Sequence, residues 1–106
     1  MKTVTFTAVT SGGRAFDIDF PLHRETRSED GVSAMVTALL DAISRTLESS
    51  KGMSDGDLLQ SLAMTLAIRA RMLDVAPESA GTLVLELFDS ALQAARSART
   101  YAVGRA

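Results

Sequence analysis

The hydrophobic residues of this chain change their period after residue 20, and that change constrains the fold more than any other feature. Before it, apolar side chains occupy even positions in two short runs: Val4, Phe6 and Ala8, then Phe16, Ile18 and Phe20. A period of two is typical of a strand with one buried face. Beyond Pro21, apolar residues recur at intervals of three and four, which is typical of helices. The sequence therefore predicts an N-terminal β-hairpin, over residues 3–20, followed by helices.

The register of this hairpin follows from parity, because residues paired across a ladder point to the same face of the sheet. A two-residue glycine loop would set Phe6 opposite Asp19 and so mix apolar and polar side chains on one face. A three-residue loop, Ser11–Gly13, instead pairs Phe6 with Ile18 and keeps one face apolar. We expect this second register, with Gly13 in the left-handed conformation that such loops need.

Three helices are predicted, over residues 29–48, 55–75 and 78–100, with residues 102–106 fraying at the end. The first follows a charged connection, with Ser28 or Asp30 as its cap. The second begins at Ser54 and Asp57, which have the spacing of a capping box with aspartate in place of glutamate. Pro77 suits the start of the third helix, because its φ is fixed and it has no N–H to leave unpaired.

Length and composition narrow the class of protein. A chain of 106 residues is expected to form a single α+β domain over residues 1–106, with the three helices packed on one face of the two-stranded hairpin. No cysteine is present, which excludes disulfides and thiolate metal sites. The net charge of −2 is spread evenly, so nucleic-acid binding is not expected. Without a signal peptide or a bilayer-spanning apolar run, we expect a cytoplasmic protein with no membrane contact.

Few residues suggest chemistry, and each has a simpler structural interpretation. His23 is the only histidine, and we expect an exposed loop residue because no nucleophile or orienting group accompanies it. One histidine without cysteine also fails to supply a zinc site. Gly12 and Gly13 are expected to form the hairpin loop rather than a phosphate cradle, since no helix follows them. Asp55 and Asp57 are expected to cap a helix rather than bind a cation.

Three further charged residues fall on predicted elements. Asp17 and Asp19 lie on the polar face of the second strand opposite threonines, so we expect solvated carboxylates rather than an acid/base pair. Arg69 falls on the main apolar stripe of the second helix. It either extends its guanidinium to the rim of that stripe, which we favour, or pairs with Asp41 or Glu86 from a neighbouring helix.

The second helix is apolar on two nearly opposite faces. One face is a broad leucine-rich stripe. The other consists of four residues, and we call it the methionine stripe: Met64, Ile68, Met72 and Val75. Either the third helix covers the methionine stripe, which makes it core, or the stripe is exposed and forms an interface, for which adaptable methionines are well suited. The sequence leaves both alternatives open.

The order of the predicted elements resembles that of the small dimeric bacterial proteins that associate with the cell-division ring. The similar features are a short hairpin with a Gly13-Arg14 turn, Pro21 after the second strand, a helix and an Ala/Leu-rich second helix. The resemblance covers residues 4–75, and Pro77 interrupts the place where that family continues as a long coiled coil. It implies a dimeric bacterial protein and identifies no functional residue in this chain.

These observations predict a non-enzymatic protein–protein interaction protein, an adaptor or accessory subunit. We expect a homodimer formed through the second helix, the strand edges or both, because free strand edges accept further strands, and an unidentified protein partner besides. The alternative is a small ligand-binding or regulatory domain that holds an apolar molecule in an aliphatic pocket. No catalytic residue, cofactor or metal ligand is predicted.

Overall fold

A computed structural model describes residues 2–103, which form an α+β fold of three strands and three helices. The elements are β1 (Thr3–Val9), β2 (Arg14–Pro21), α1 (Glu29–Ser49), α2 (Asp55–Arg71), α3 (Pro77–Arg96) and β3 (Arg99–Ala102). The sheet is antiparallel with the strand order β1-β2-β3, so β2 is its central strand. The predicted α+β class is confirmed.

The chain divides into two compact units. The first combines the residues up to Glu29 with those from Leu85 onward, so it holds the whole sheet and the second part of α3. The second runs from Asp30 to Val84 and holds α1 beyond its first residue, α2 and the first part of α3. The buried hydrophobic side chains of the described residues are Ala15 in the first unit and Ala80 in the second. Each unit therefore has very little core of its own.

The hairpin forms in the register that parity predicts. Phe6 pairs with Ile18, and the Thr10 N–H donates to the Arg14 carbonyl over 2.8 Å, which closes a three-residue loop. Gly13 has a φ of +85°, a left-handed conformation that residues with a Cβ rarely adopt. The two glycines thus serve the turn, and the apolar residues at the even positions of both strands share one face.

A third strand, β3, corrects the prediction of a two-stranded sheet. It pairs antiparallel with β2, setting Arg99 opposite Asp17, and the Val103 N–H extends the ladder by donating to the Gly13 carbonyl over 2.7 Å. Residues 102 and 103 are therefore ordered by the sheet and do not fray, while residues 104–106 lie outside the described residues. Because β2 is paired on both sides, it is not the free edge that a lone hairpin would have left.

Two of the helices are shorter than their apolar periodicity predicts. Helix α2 ends at Arg71 rather than at residue 75, and Met72 is its C-cap. Helix α3 begins at Pro77, as expected, but ends at Arg96 rather than at residue 100. At that end the Ser97 N–H bonds back to the Gln93 carbonyl, and the chain then enters β3. Apolar spacing alone does not mark where a helix stops.

The start of α2 has the predicted capping box. The Asp57 N–H donates to the Ser54 hydroxyl oxygen, and the Ser54 N–H donates to the Asp57 carboxylate, both over 3.1 Å. The two bonds satisfy backbone donors that the first helical turn leaves unpaired, which stabilises a helix by about 1 kcal/mol. Asp55 follows Ser54 in the first turn, where its charge favours the positive end of the helix dipole.

Candidate functional site

The methionine stripe lies along α2 and into the turn that follows it. Met64 and Ile68 are on the helix, Met72 is its C-cap, and Val75 is in the turn before α3. Their exposed fractions are 57%, 59%, 65% and 53% respectively. Each side chain is more than half exposed, so the stripe is not part of the buried core of the single chain.

The leucine-rich stripe of α2 is also exposed. Its exposed members include Leu59, Leu62, Leu66 and Leu73. Neither α1 nor α2 contains one buried residue, and the exposed side chains of α1 include Met35, Leu39 and Leu40. Full burial of a side chain of this size stabilises by about 1.5–3 kcal/mol, so much of that free energy is unrealised in one chain.

Arg69 does not pair with either of the two carboxylates that the sequence offered. Its Nη1 donates to the Met72 sulfur over 3.2 Å, one turn along the helix surface. Asp41 forms an ion pair within its own helix, and Glu86 pairs with His23. The ion-pair alternative is therefore wrong, and the guanidinium lies exposed at the end of the methionine stripe.

His23 is not the exposed loop residue that the sequence predicts. Its side chain is only 17% exposed, and both ring nitrogens are bound. The Glu25 N–H donates to Nδ1 over 3.1 Å, so the neutral ring carries its proton on Nε2. Nε2 in turn lies 3.1 Å from a carboxylate oxygen of Glu86 on α3. The histidine thus ties the connection after β2 to the second part of α3, within the first unit.

The polar face of the sheet carries hydrogen bonds that cross from β1 to β2. The Thr5 hydroxyl donates to Asp19 over 2.6 Å, and the Thr7 hydroxyl donates to Asp17 over 2.8 Å. Both pairs are directly opposite in the ladder, as the predicted register requires. The carboxylates are separated into two threonine-bound sites, so they do not form an acid/base pair that shares a proton.

Strand β3 supplies a second partner to each of these carboxylates. The Arg99 guanidinium lies 3.3 Å from Asp19, and the Tyr101 hydroxyl donates to Asp17 over 3.1 Å. The Thr5 hydrogen bond first, and Arg99 after it, lower the pKa of Asp19, although some desolvation opposes them. The hydrogen bond to Asp17 and then desolvation raise the pKa of Tyr101. Each of the two carboxylates on β2 therefore links a side chain of β1 to a side chain of β3.

Sequence reasoning missed the two residues from β3 because Ala98 and Tyr101 continue the helical spacing of the apolar residues in α3. The available signal was the segment Arg99-Thr100-Tyr101, in which two residues favour strands. Arg99 also has the charge that Asp17 and Asp19 would attract to a neighbouring strand. Together, the strand-favouring residues and the charge of Arg99 favour a third strand over a continuation of the helix.

Strand β1 is an open edge of the sheet. Just outside its two ends, the Lys2 carbonyl accepts from Leu22 and the Thr10 N–H donates to Arg14, each over 2.8 Å. Even residues therefore direct their backbone groups at β2. Backbone groups of successive strand residues alternate between the two sides. The backbone groups directed away from the sheet therefore belong to the odd residues: Thr3, Thr5, Thr7 and Val9. No strand among residues 2–103 pairs with them.

Three other features bear on the kind of site. Within residues 2–103, no group of three or more His, Cys, Asp or Glu side chains is placed to hold a metal ion. No described helix combines the length and the hydropathy needed to cross a bilayer. The chain matches no known protein family, and comparisons with curated proteins and with solved structures find no significant similarity. The resemblance to the proteins of the cell-division ring therefore stays a prediction.

Proposed function

We propose that this chain is a non-enzymatic protein–protein interaction protein, a bacterial cytoplasmic adaptor or accessory subunit that forms a homodimer. The observation that carries the proposal is the exposure of the methionine stripe, all four of whose side chains are more than half exposed. A contiguous exposed apolar surface of this kind marks a contact site for another protein. Methionine adapts its shape to a partner, which suits such a surface.

The environment of the ionisable side chains supports a role without catalysis. Both ring nitrogens of His23 are bound, one by the Glu25 N–H and the other by the Glu86 carboxylate. The carboxylates of Asp17 and Asp19 are bound across the strands by hydroxyl and guanidinium donors. These groups hold elements of the first unit together, which accounts for their presence without an activity.

A lysine placed in the methionine stripe tests the proposal. Sedimentation equilibrium over a wide range of concentration is expected to give a dimer for the unmodified chain. Met64→Lys is expected to raise the dimer dissociation constant by at least about tenfold, equivalent to ~1.4 kcal/mol, because a buried interface must then desolvate an unpaired charge. A monomer at every concentration, or a Met64→Lys variant with unchanged mass and solubility, would contradict the proposal.

Ala67→Lys is the matched control. Ala67 is exposed on the same helix, and the rotation of about 100° per residue places it on the flank between the two apolar stripes. It adds the same charge to α2, so a dimer that tolerates Ala67→Lys but not Met64→Lys locates the contact on the stripe. His23→Ala separately tests the enzyme alternative: loss of any turnover found in this protein, with the circular dichroism spectrum unchanged, would assign catalysis to the histidine.

A further inference from the structure

We propose that the second copy of this chain joins the sheet at β1, antiparallel and in full overlap, with Phe6 on the two-fold axis. The result is a six-stranded sheet that is continuous across the dimer. This inference rests on the proposed function, because it names a contact that the homodimer forms in addition to the one at the methionine stripe.

The two edges of the sheet differ in how they are protected. Natural edge strands are kept from pairing by short length, charged side chains or proline. Strand β3 has such protection, since it is only four residues long and contains Arg99. Strand β1 has seven residues and neither a charge nor a proline. Lys2, the charged residue that directly precedes it in the chain, is held in an ion pair with Glu29 at 3.1 Å. Strand β1 is therefore the edge open to a further strand.

The sequence of β1 is complementary to itself in the register of greatest overlap. An antiparallel copy aligned from Thr3 to Val9 places Phe6 opposite Phe6 and Val4 opposite Ala8, so the apolar faces of the two sheets are continuous. A shift by one residue would set apolar side chains opposite polar ones. In the overlapping register Thr5 lies opposite Thr7, and both have outward-facing backbone groups, so each such pair exchanges two hydrogen bonds.

The side chains around this edge also favour a second copy. Phe6 packs edge-on against Phe20 with ring centroids 6.0 Å apart, so the axis brings a second aromatic pair beside an existing one. On the polar face, the hydroxyls of Thr5 and Thr7 are already donated to carboxylates on β2. No charged side chain lies on β1 itself, so two copies meet there without like-charge repulsion.

Disulfide trapping tests the register directly, because the chain contains no cysteine. In the proposed dimer Val4 lies opposite Ala8 at a separation that a disulfide can bridge. We expect Val4→Cys/Ala8→Cys to form a covalent dimer under mild oxidation, seen on a non-reducing gel. Each single variant is the control. Two copies of one such cysteine would lie about 14 Å apart along the strands, too far to bridge.

A proline on the edge tests the backbone pairing. The Thr5 N–H faces away from β2, so Thr5→Pro removes a bond of the proposed dimer and leaves the hairpin ladder intact. Thr5→Val is its control, because it removes the hydroxyl bound to Asp19 and keeps the N–H. We expect Thr5→Pro to raise the dimer dissociation constant by at least about tenfold and Thr5→Val to change it by much less, with the circular dichroism spectra of both unchanged.

The results separate this inference from the proposed function. A monomeric unmodified chain would overturn both. A dimer that is weakened by Met64→Lys, yet neither weakened by Thr5→Pro nor trapped by the cysteine pair, would overturn the strand pairing and leave the interaction function standing. Rapid trapping of the double variant but of neither single variant, together with loss of the dimer in Thr5→Pro, would establish β1 as the dimer edge.

Discussion

The sheet and the first two helices satisfy their side chains in opposite ways. In the sheet, the carboxylates of Asp17 and Asp19 are bound by donors from both neighbouring strands. In α1 and α2, apolar side chains fill whole faces and not one residue is buried. The contrast teaches that hydrogen bonds between strands form within one chain once the register is right, whereas helical apolar faces need a surface large enough to cover them.

The first way to test this contrast is dilution, for which we expect the largest effect. If a second copy covers the helices, a hundredfold dilution lowers the free energy of unfolding by about 2.7 kcal/mol, and the melting temperature of the helical signal falls with it. Circular dichroism followed through thermal unfolding at several concentrations measures the effect. A melting temperature independent of concentration would mean that α1 and α2 are stable with their apolar faces exposed, and the contrast would then have no consequence for assembly.

The second test asks whether the stability of the sheet depends on Ala15, the one buried side chain in its three strands. Ala15 is 1% exposed and lies in the ladder between Val9 and Tyr101. Ala15→Leu is expected to destabilise the protein by about 2 kcal/mol, because overpacking at a filled position forces its neighbours apart. Chemical denaturation measures the loss. Ala8→Leu, at an exposed position of the same hairpin, is the control, and an equal loss in both variants would refute a specific role for Ala15.

The sequence was most informative where the constraint is local. The register of the hairpin followed from the parity of Phe6 and Ile18, and the start of α2 from the spacing of Ser54 and Asp57. Pro77 marked the start of α3 for the same reason, since its covalent geometry acts at its own position. In each case the deciding interaction involves residues close in sequence, so spacing contains the necessary information.

Other features depend on residues far apart in the chain, and the sequence did not reveal them. Strand β3 pairs with a strand some eighty residues earlier, and its pattern is too short to outweigh the helical period that precedes it. The contact of His23 with Glu86 is equally remote. The candidate interface residues were identified as a stripe from spacing alone, but spacing cannot tell core from surface. That distinction depends on which other surface covers the stripe.

The third and smallest effect concerns the polar face of the sheet, where Tyr101 reports on the pairing. Hydrogen bonding to the Asp17 carboxylate raises the pKa of the Tyr101 hydroxyl. Because the folded pKa is raised, its contribution to stability is fully present below the unfolded value near 10 and is lost as pH rises through the folded value. The protein has one tyrosine and no tryptophan, so a phenolate absorbance titration follows this group alone.

Asp17→Asn identifies the cause of that shift. The amide keeps the size of the side chain and a hydrogen-bond acceptor but removes the charge that favours the protonated phenol. We expect the pKa of Tyr101 to fall towards its ordinary value in Asp17→Asn and to change much less in Asp19→Asn, whose carboxylate binds Arg99 instead. Equal shifts in the two variants would mean that Tyr101 senses the general charge of the sheet. In that case the hydrogen bond between Tyr101 and Asp17 would not be a specific interaction, and the sheet would not differ from the helices in the way described above.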